Sequence, residues 1–383
     1  MSRLPVQGLC AGRTALLVGV FALFGCKEEG KSGSLWSCES EGELETCTAE
    51  VQSSSGGGYT FELDVADDRA AFLVGIESEA QVVFESLRSP SGSTVLDYRA
   101  LSSQTELLTA AMLFLGRSSA SLNWPVRAQD GPLEPGGWAV SFVTVDEEGY
   151  GEPKADVTIT TRAKADTALD AGRFPVRVVL ADGIGDDSAL RTATEEAVDH
   201  WAALWSLYGL ELDVVWEDDS IDPALPMVSD GDPALARVAD GGDGLRTTLL
   251  VGESIGGASE VLGESGGIPG VPWGGAYGLV AVAWLGHAGR DGAFSDAEVR
   301  IFGETMAHET GHFAGLFHPV EIDLTYQDAL DDTPDCETRA RCESLLGQNN
   351  LFPYPVCGRA GCLSQDELTD DQVGVLHRFT GTR

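Results

Sequence analysis

Basic residues are scarce in this chain. Its 383 residues include 24 Lys and Arg against 61 Asp and Glu, a formal net charge of −37. Binding phosphate needs a cationic face, so nucleic acid is excluded as a partner. Attachment to anionic lipid through basic patches is excluded for the same reason. Long apolar runs are missing too. Thr14 to Phe24 is a run of eleven residues, where a membrane span needs about 20. No internal repeat is visible. Gly256-Gly257 and Gly266-Gly267 lack a following Lys-Ser/Thr, which excludes a phosphate loop. A hydrophobic fraction of 43% beside 22% charged residues is that of a globular chain, not a disordered one. The length suggests two domains, each large enough to bury a core.

The N-terminus reads as an address. Arg3 and Arg13 precede the short apolar core, and Leu23-Phe24-Gly25-Cys26 closes it. That ending resembles a bacterial lipobox, which implies a signal peptide over 1–25 and a lipidated Cys26. Residues 26–34 would then be a polar tether, and the lipid the one membrane contact. Lys27 follows the cysteine, and the absence of Asp there permits transfer to an outer membrane. The expected location is the cell envelope, lipid-anchored, or else the secreted fraction. Six further cysteines, Cys38, Cys47, Cys336, Cys342, Cys357 and Cys362, form an even set that reads as three disulfides outside the cytoplasm. Cys38–Cys47 is the natural first pair. Nearness in sequence favours Cys336–Cys342 and Cys357–Cys362, with a structural zinc at those four as the rival.

Two textures follow the tether. Over 35–163 short strands alternate with Gly, Pro and Ser turns: Tyr59–Val65, Ala71–Ile76, Gln81–Leu87, Gly136–Val145 and Val157–Thr161. They predict an antiparallel β-sandwich. The stretch from Ser89 to Trp138 resembles small β-sandwich modules attached to secreted bacterial peptidases. Residues 164–173 read as a linker. Over 174–383 strands at Phe174–Leu180, Leu210–Trp216, Leu245–Val251 and Leu279–Trp284 enclose a helix with Ser188 as its N-cap and precede a second one capped near Ser295. This second domain predicts a mixed α/β sheet. Residues 218–244 and 252–275 read as loops.

Three of the six histidines fall in one eleven-residue window, His308-Glu309-Thr310-Gly311-His312-Phe313-Ala314-Gly315-Leu316-Phe317-His318. His308 and His312, four apart, project from one helical face and can share a zinc ion (Zn2+). Gly315 can turn the chain so that His318 returns as a third ligand. Three nitrogens leave one position open, the signature of a catalytic rather than a structural zinc site. Glu309 stands where a general base for bound water belongs.

This window resembles the metzincin zinc peptidases, whose motif is HExxHxxGxxH, at His308, Glu309, His312, Gly315 and His318. Asp328-Ala329-Leu330-Asp331-Asp332-Thr333-Pro334 is similar to the D-x-x-x-DTP segment of the pappalysin-like branch. The resemblance implies a C-terminal zincin fold with a mixed twisted sheet, an active-site helix and a small C-terminal subdomain. It implies endopeptidase activity on protein or peptide. It also implies a methionine turn beneath the zinc, yet no methionine follows Met306. Leu351, in Gln348–Tyr354, could take that place, since its volume is similar. Tyr354 could pack there or support a transition state.

Asp328, Asp331 and Asp332 could hold calcium (Ca2+), line a cleft, or sit in a solvated loop. With the cysteines paired, no thiol is left for a cysteine switch, so latency would need an Asp or the N-terminal domain in the cleft. Two other functions fit the same residues: a binding lipoprotein on an inert metzincin scaffold, and a zinc hydrolase of a non-peptide amide or ester. The sequence is silent on oligomeric state.

Overall fold

The computed structural model describes residues 36–383 except 55, 57, 98–105, 108–116, 147–153, 166–168, 259, 276, 290–291 and 360. The expected signal peptide, tether and lipid site at Cys26 lie outside the described residues. Strands β1 (Ser37–Glu41), β2 (Leu44–Gln52), β3 (Gly58–Val65), β4 (Ala71–Ser78), β5 (Gln81–Arg88), β6 (Thr94–Asp97), β7 (Glu106–Leu107), β8 (Ser119–Trp124), β9 (Gly136–Val145) and β10 (Asp156–Lys164) come first. Two antiparallel sheets, in the orders β1-β2-β10-β4-β8 and β3-β9-β5-β6, pack as a sandwich.

The alternation in β9 explains its place: Trp138, Val140 and Phe142 are buried and their neighbours less so. Trp138 meets Phe72 of the other sheet at 5.6 Å between ring centroids. In β5 the apolar period breaks after Val82 and Phe84, because a bulge between Phe84 and Ser86 turns Leu87 inward. β4 is apolar almost throughout because both its faces are covered. Phe72 faces the sandwich core, while Gly75 lies against Val271 and Trp273 of the second domain.

The second domain begins with β11 (Gly172–Leu180), α1 (Ser188–Ser206), β12 (Leu210–Asp218), β13 (Ala224–Leu225), α2 (Pro233–Asp240), β14 (Thr247–Gly252), β15 (Ser254–Ile255), β16 (Gly263–Ser265), β17 (Leu279–Ala283) and α3 (Asp296–Phe313). The sheet order is β12-β11-β14-β17-β16, parallel except for β16. Three details differ from the sequence expectation. Asp187, not Ser188, caps α1, its side chain accepting the Ala189 and Leu190 N–H groups. The first supposed loop contains α2, started by the Asp232 cap and Pro233. The second contains β16, which carries no apolar alternation because backbone pairing with β17 alone defines it.

Helices α1 and α3 cross closely. A Cβ on Gly303 would sit 2.3 Å from the Ala197 carbonyl oxygen and 2.8 Å from His200 Cβ. Gly303→Ala should therefore destabilise the fold by about 1–3 kcal/mol, read as a lower denaturant midpoint. An unchanged midpoint would mean that the helices separate freely. Trp201 and Trp205, with Phe174, fill the space between α1 and the sheet.

After α3 come β18 (Gln327–Asp328), α4 (Arg339–Leu346), β19 (Cys357–Gly358), β20 (Gly361–Cys362) and α5 (Asp370–Arg378). The cystines are Cys38–Cys47, Cys336–Cys342 and Cys357–Cys362. Three disulfides fit an oxidising compartment. Among the described residues no helix is long and apolar enough to cross a membrane.

Candidate metal centre

Helix α3 starts with a reciprocal cap. Ser295 accepts the Glu298 N–H, and Glu298 accepts the Ser295 N–H. This fixes the helical phase that puts His308 and His312 on one face. The helix stops at Ala314, and Gly315 follows with φ of 111°, a conformation L side chains rarely adopt. The chain reverses there and brings His318 back.

The three Nε2 atoms converge. His308 and His312 are 3.0 Å apart, His312 and His318 3.1 Å, and His318 and His308 3.3 Å. Each Nδ1 has its own oxygen partner. His308 donates to the Asn350 carbonyl at 2.6 Å, His312 to the Leu316 carbonyl at 2.6 Å, and His318 to Glu321 Oε2 at 2.9 Å. Carbonyl oxygens only accept, so the protons of His308 and His312 sit on Nδ1, and the Glu321 carboxylate favours the same tautomer at His318. Three Nε2 lone pairs then face one another, an arrangement that repels unless a cation lies between them. Ligands at 2.0–2.1 Å around a tetrahedral zinc are about 3.3 Å apart, so the triangle fits that ion. Among the described residues this is the one group of three ligating side chains close enough to hold a metal. Burial, reinforced by the neighbouring imidazoles, pushes His308 down to about 3 and His312 well below the usual histidine range, so both are neutral ligands.

Glu309 is half-buried beside them, lining the cleft. A Cβ on Gly263 of β16 would lie 2.5 Å from Glu309 Cγ, so the edge strand can pass this close only as glycine. The Ser265 backbone N–H is directed at its carboxylate. Burial, then the charge of Glu264, raises Glu309 to about 8. A dication at the three nitrogens pulls the other way, toward the ionised form.

The segment Gln348–Tyr354 packs against α3, with the Asn350 carbonyl on His308 Nδ1. Leu351 is fully buried, and a Cβ on Gly311 would lie 3.3 Å from its methyl group. Asn350 tethers the segment, its Nδ2 donating to the Glu304 and Gln365 carbonyls at 3.0 and 2.9 Å. Tyr354 lines the cleft, but its hydroxyl donates to Glu343 at 3.2 Å and its ring lies 4.4 Å under the Arg339 guanidinium. That arrangement is packing at the cleft wall.

Of the three readings of the acidic segment, the solvated loop fits Asp331 and Asp332, which are exposed, but not Asp328, which is buried. Asp328, Asp331 and Asp332 neither converge on a calcium-sized site nor line the metal cleft. Asp328 is turned inward, accepting the Thr333 hydroxyl and the Leu330 N–H. Asp332 accepts the Asp371 N–H at 2.8 Å, and Asp371 accepts the Asp331 N–H at 3.2 Å, tying the loop to the start of α5. The physical reason is capping: the carboxylates of Asp328, Asp332 and Asp371 each accept a backbone N–H of the turn or of the start of α5.

Burial raises Asp328 to about 7, aided by Asp332 and Asp335 and opposed by its Thr333 and Leu330 bonds. Between about pH 4 and 7 the folded chain thus binds a proton that the unfolded chain has lost, so this residue lowers stability as pH rises through that window. Asp328→Asn keeps the Thr333 and Leu330 bonds without the charge. The variant should gain about 2–4 kcal/mol over wild type at pH 8 relative to pH 4. Parallel stability curves against pH would contradict the burial of that charge.

Residues unseen in the sequence complete the site. Asn350 and Leu316 act through backbone carbonyls and leave no sequence signal. Glu321 had one: a carboxylate three residues beyond the third histidine. Of the three oxygens that orient the imidazoles it is the one carried by a side chain. Glu321→Gln should weaken zinc binding about 10–100-fold in a chelator competition, and equal affinity would remove its role.

The cleft over the histidines has a volume of about 550 Å³. One wall is β16, at the edge of the sheet. Ile301 and Thr305 of α3 and the segment Phe352–Pro355 also line the cleft.

No protein-family model matches this chain, and no curated protein matches its sequence. Among solved structures it is similar to metalloproteinase-II from Bacteroides fragilis, with 13% identity and a TM-score of 0.28. The match covers 45% of this chain and 60% of that one, so the chain spans under two thirds of that protein.

Proposed function

We propose that this protein is a zinc-dependent endopeptidase of the metzincin class, in its pappalysin-like branch. The observation that carries this reading is the triangle of unprotonated Nε2 atoms with Glu309 beside it in the same cleft. Helix, glycine turn and third histidine also follow the order of the metzincin motif.

Zinc bound by His308, His312 and His318 would supply Lewis acidity to a water and to the scissile carbonyl. Glu309 takes the proton from the attacking water and passes it to the departing amine as the C–N bond breaks. The Ser265 N–H and the close backbone of Gly263 hold that carboxylate in place. Among the described residues no strand pairs with the outer edge of β16, and an extended peptide can pair there, which favours a polypeptide over a small amide or ester. Leu351 serves as the apolar floor that methionine provides in metzincins. The chain is read as exported, with residues 1–25 removed and Cys26 lipidated, and its partner is a protein or peptide substrate rather than nucleic acid.

A hydroxamate, which chelates zinc through two oxygens, tests this. Cleavage of an unfolded protein substrate should stop on its addition and on zinc chelation, and should return with added zinc. Cleavage that persists without metal would reject the reading.

A further inference from the structure

We infer that the β-sandwich is a fixed wall of the catalytic unit, and that its Arg117 is a positioning residue for Glu309. The inference rests on the peptidase reading above. It starts from the loop that leaves β16 and returns at β17. Gly266, the first residue of that loop, is held on both sides. Its N–H donates to the Leu279 carbonyl at 2.9 Å, and its carbonyl accepts Arg117 Nη1 at 3.0 Å. The same guanidinium lies 4.7 Å from the centre of the Tyr277 ring, at the far end of the loop. Ser121 of β8 donates to the Pro269 carbonyl. Gly75 of β4 lies so close to Trp273 that a Cβ there would be 2.5 Å from its ring. Sandwich residues thus clasp the loop at its start, middle and end.

The clasp lies next to the chemistry. Ser265, immediately before Gly266, directs its N–H at Glu309, and Gly263 packs on the Glu309 stem. A shift of the Gly266 peptide moves both. Among the described residues Arg117 is the one sandwich side chain lining the cleft, and Glu264 of β16 is a charged neighbour of it.

The junction is also built to stay closed. Lys164 donates to the His377 carbonyl at 2.9 Å and Arg162 to the Gly244 carbonyl at 2.6 Å. Both side chains are buried, and both acceptors belong to the second domain. Arg127 donates to the Ala329 carbonyl at 3.1 Å. Separating the domains would break charge-assisted bonds at every one of these points. The sandwich therefore acts as part of the peptidase, not as a detachable pro-segment or a free substrate-binding module.

The test uses the chain from residue 27 to 383 with Arg117→Ala and Arg117→Lys. Arg117→Ala should lower kcat about tenfold or more, with KM changed less than about twofold and zinc content unchanged. Arg117→Lys, which keeps a donor for the Gly266 carbonyl, should recover most of the loss. Backbone amides of 263–270 should exchange with deuterium about tenfold faster in Arg117→Ala, while those of α3 stay protected. Wild-type kcat and exchange in Arg117→Ala would overturn the inference, as would a rise in KM alone, which would make Arg117 a substrate contact. If wild type cleaves no peptide, the peptidase reading fails, and the exchange comparison still decides the clasp. Should Arg117→Ala not fold, Ser121→Ala removes another donor to the same loop and is read in the same way.

Discussion

Glu309→Gln should lower kcat about 10²–10⁴-fold and leave zinc bound. The three ligands are untouched by this change. Glutamine has the same shape, so it still passes under Gly263, and its carbonyl oxygen still accepts the Ser265 N–H. What it lacks is the ability to take a proton. The loss should fall on kcat, with KM little changed, because the group acts in the transition state. Zinc content measured beside turnover separates this from a collapse of the site. Full turnover with bound zinc would remove Glu309 from its role.

The second large effect is expected at His312. It sits in the middle of the triangle, 3.0 and 3.1 Å from the other two Nε2 atoms, and is almost fully buried. His312→Ala leaves two nitrogens and a cavity, so the variant should hold no zinc at micromolar concentration and show no turnover. It should also lose metal-linked stability. An ion that binds only the folded chain stabilises it by about 4 kcal/mol at 1,000 times its Kd. Wild type should therefore melt at a lower temperature in chelator than in zinc, while His312→Ala melts alike in both. Retained zinc at one ion per chain would show that the metal lies elsewhere.

The parts of the site legible in the sequence are local ones. A four-residue step on a helix fixes His308, Glu309 and His312 relative to one another. A glycine able to adopt a φ of 111° lets His318 return three residues later. Leu351 drew attention only through the metzincin resemblance, and in the structure it is buried against Gly311 of α3. Residues acting through the backbone were not legible. Asn350 orients His308 by its carbonyl, which any residue type could offer. β16 is Gly-Glu-Ser, and its role comes from pairing with β17 and from the space that Gly263 leaves for Glu309.

The sandwich shows the same division. β9 alternates cleanly, and β5 was legible over Gln81–Leu87, but the bulge that shifts its register left no signal. β1 and β2, not named as strands from the sequence, pair around the expected Cys38–Cys47 disulfide. Asp328 misled for a physical reason: an acidic run looks alike whether it binds a cation or caps a turn. The clasp at Arg117 joins residues 149 apart in sequence, and no spacing announces it.

The most direct measurement is cleavage of a peptide library by residues 27–383, with zinc quantified, beside the Glu309→Gln protein. About one zinc per chain in both proteins, with cleavage by wild type alone, is the expected result for one three-histidine site. Equal cleavage by both proteins, or a wild type that binds no zinc, would contradict a zinc peptidase centred on His308, His312, His318 and Glu309.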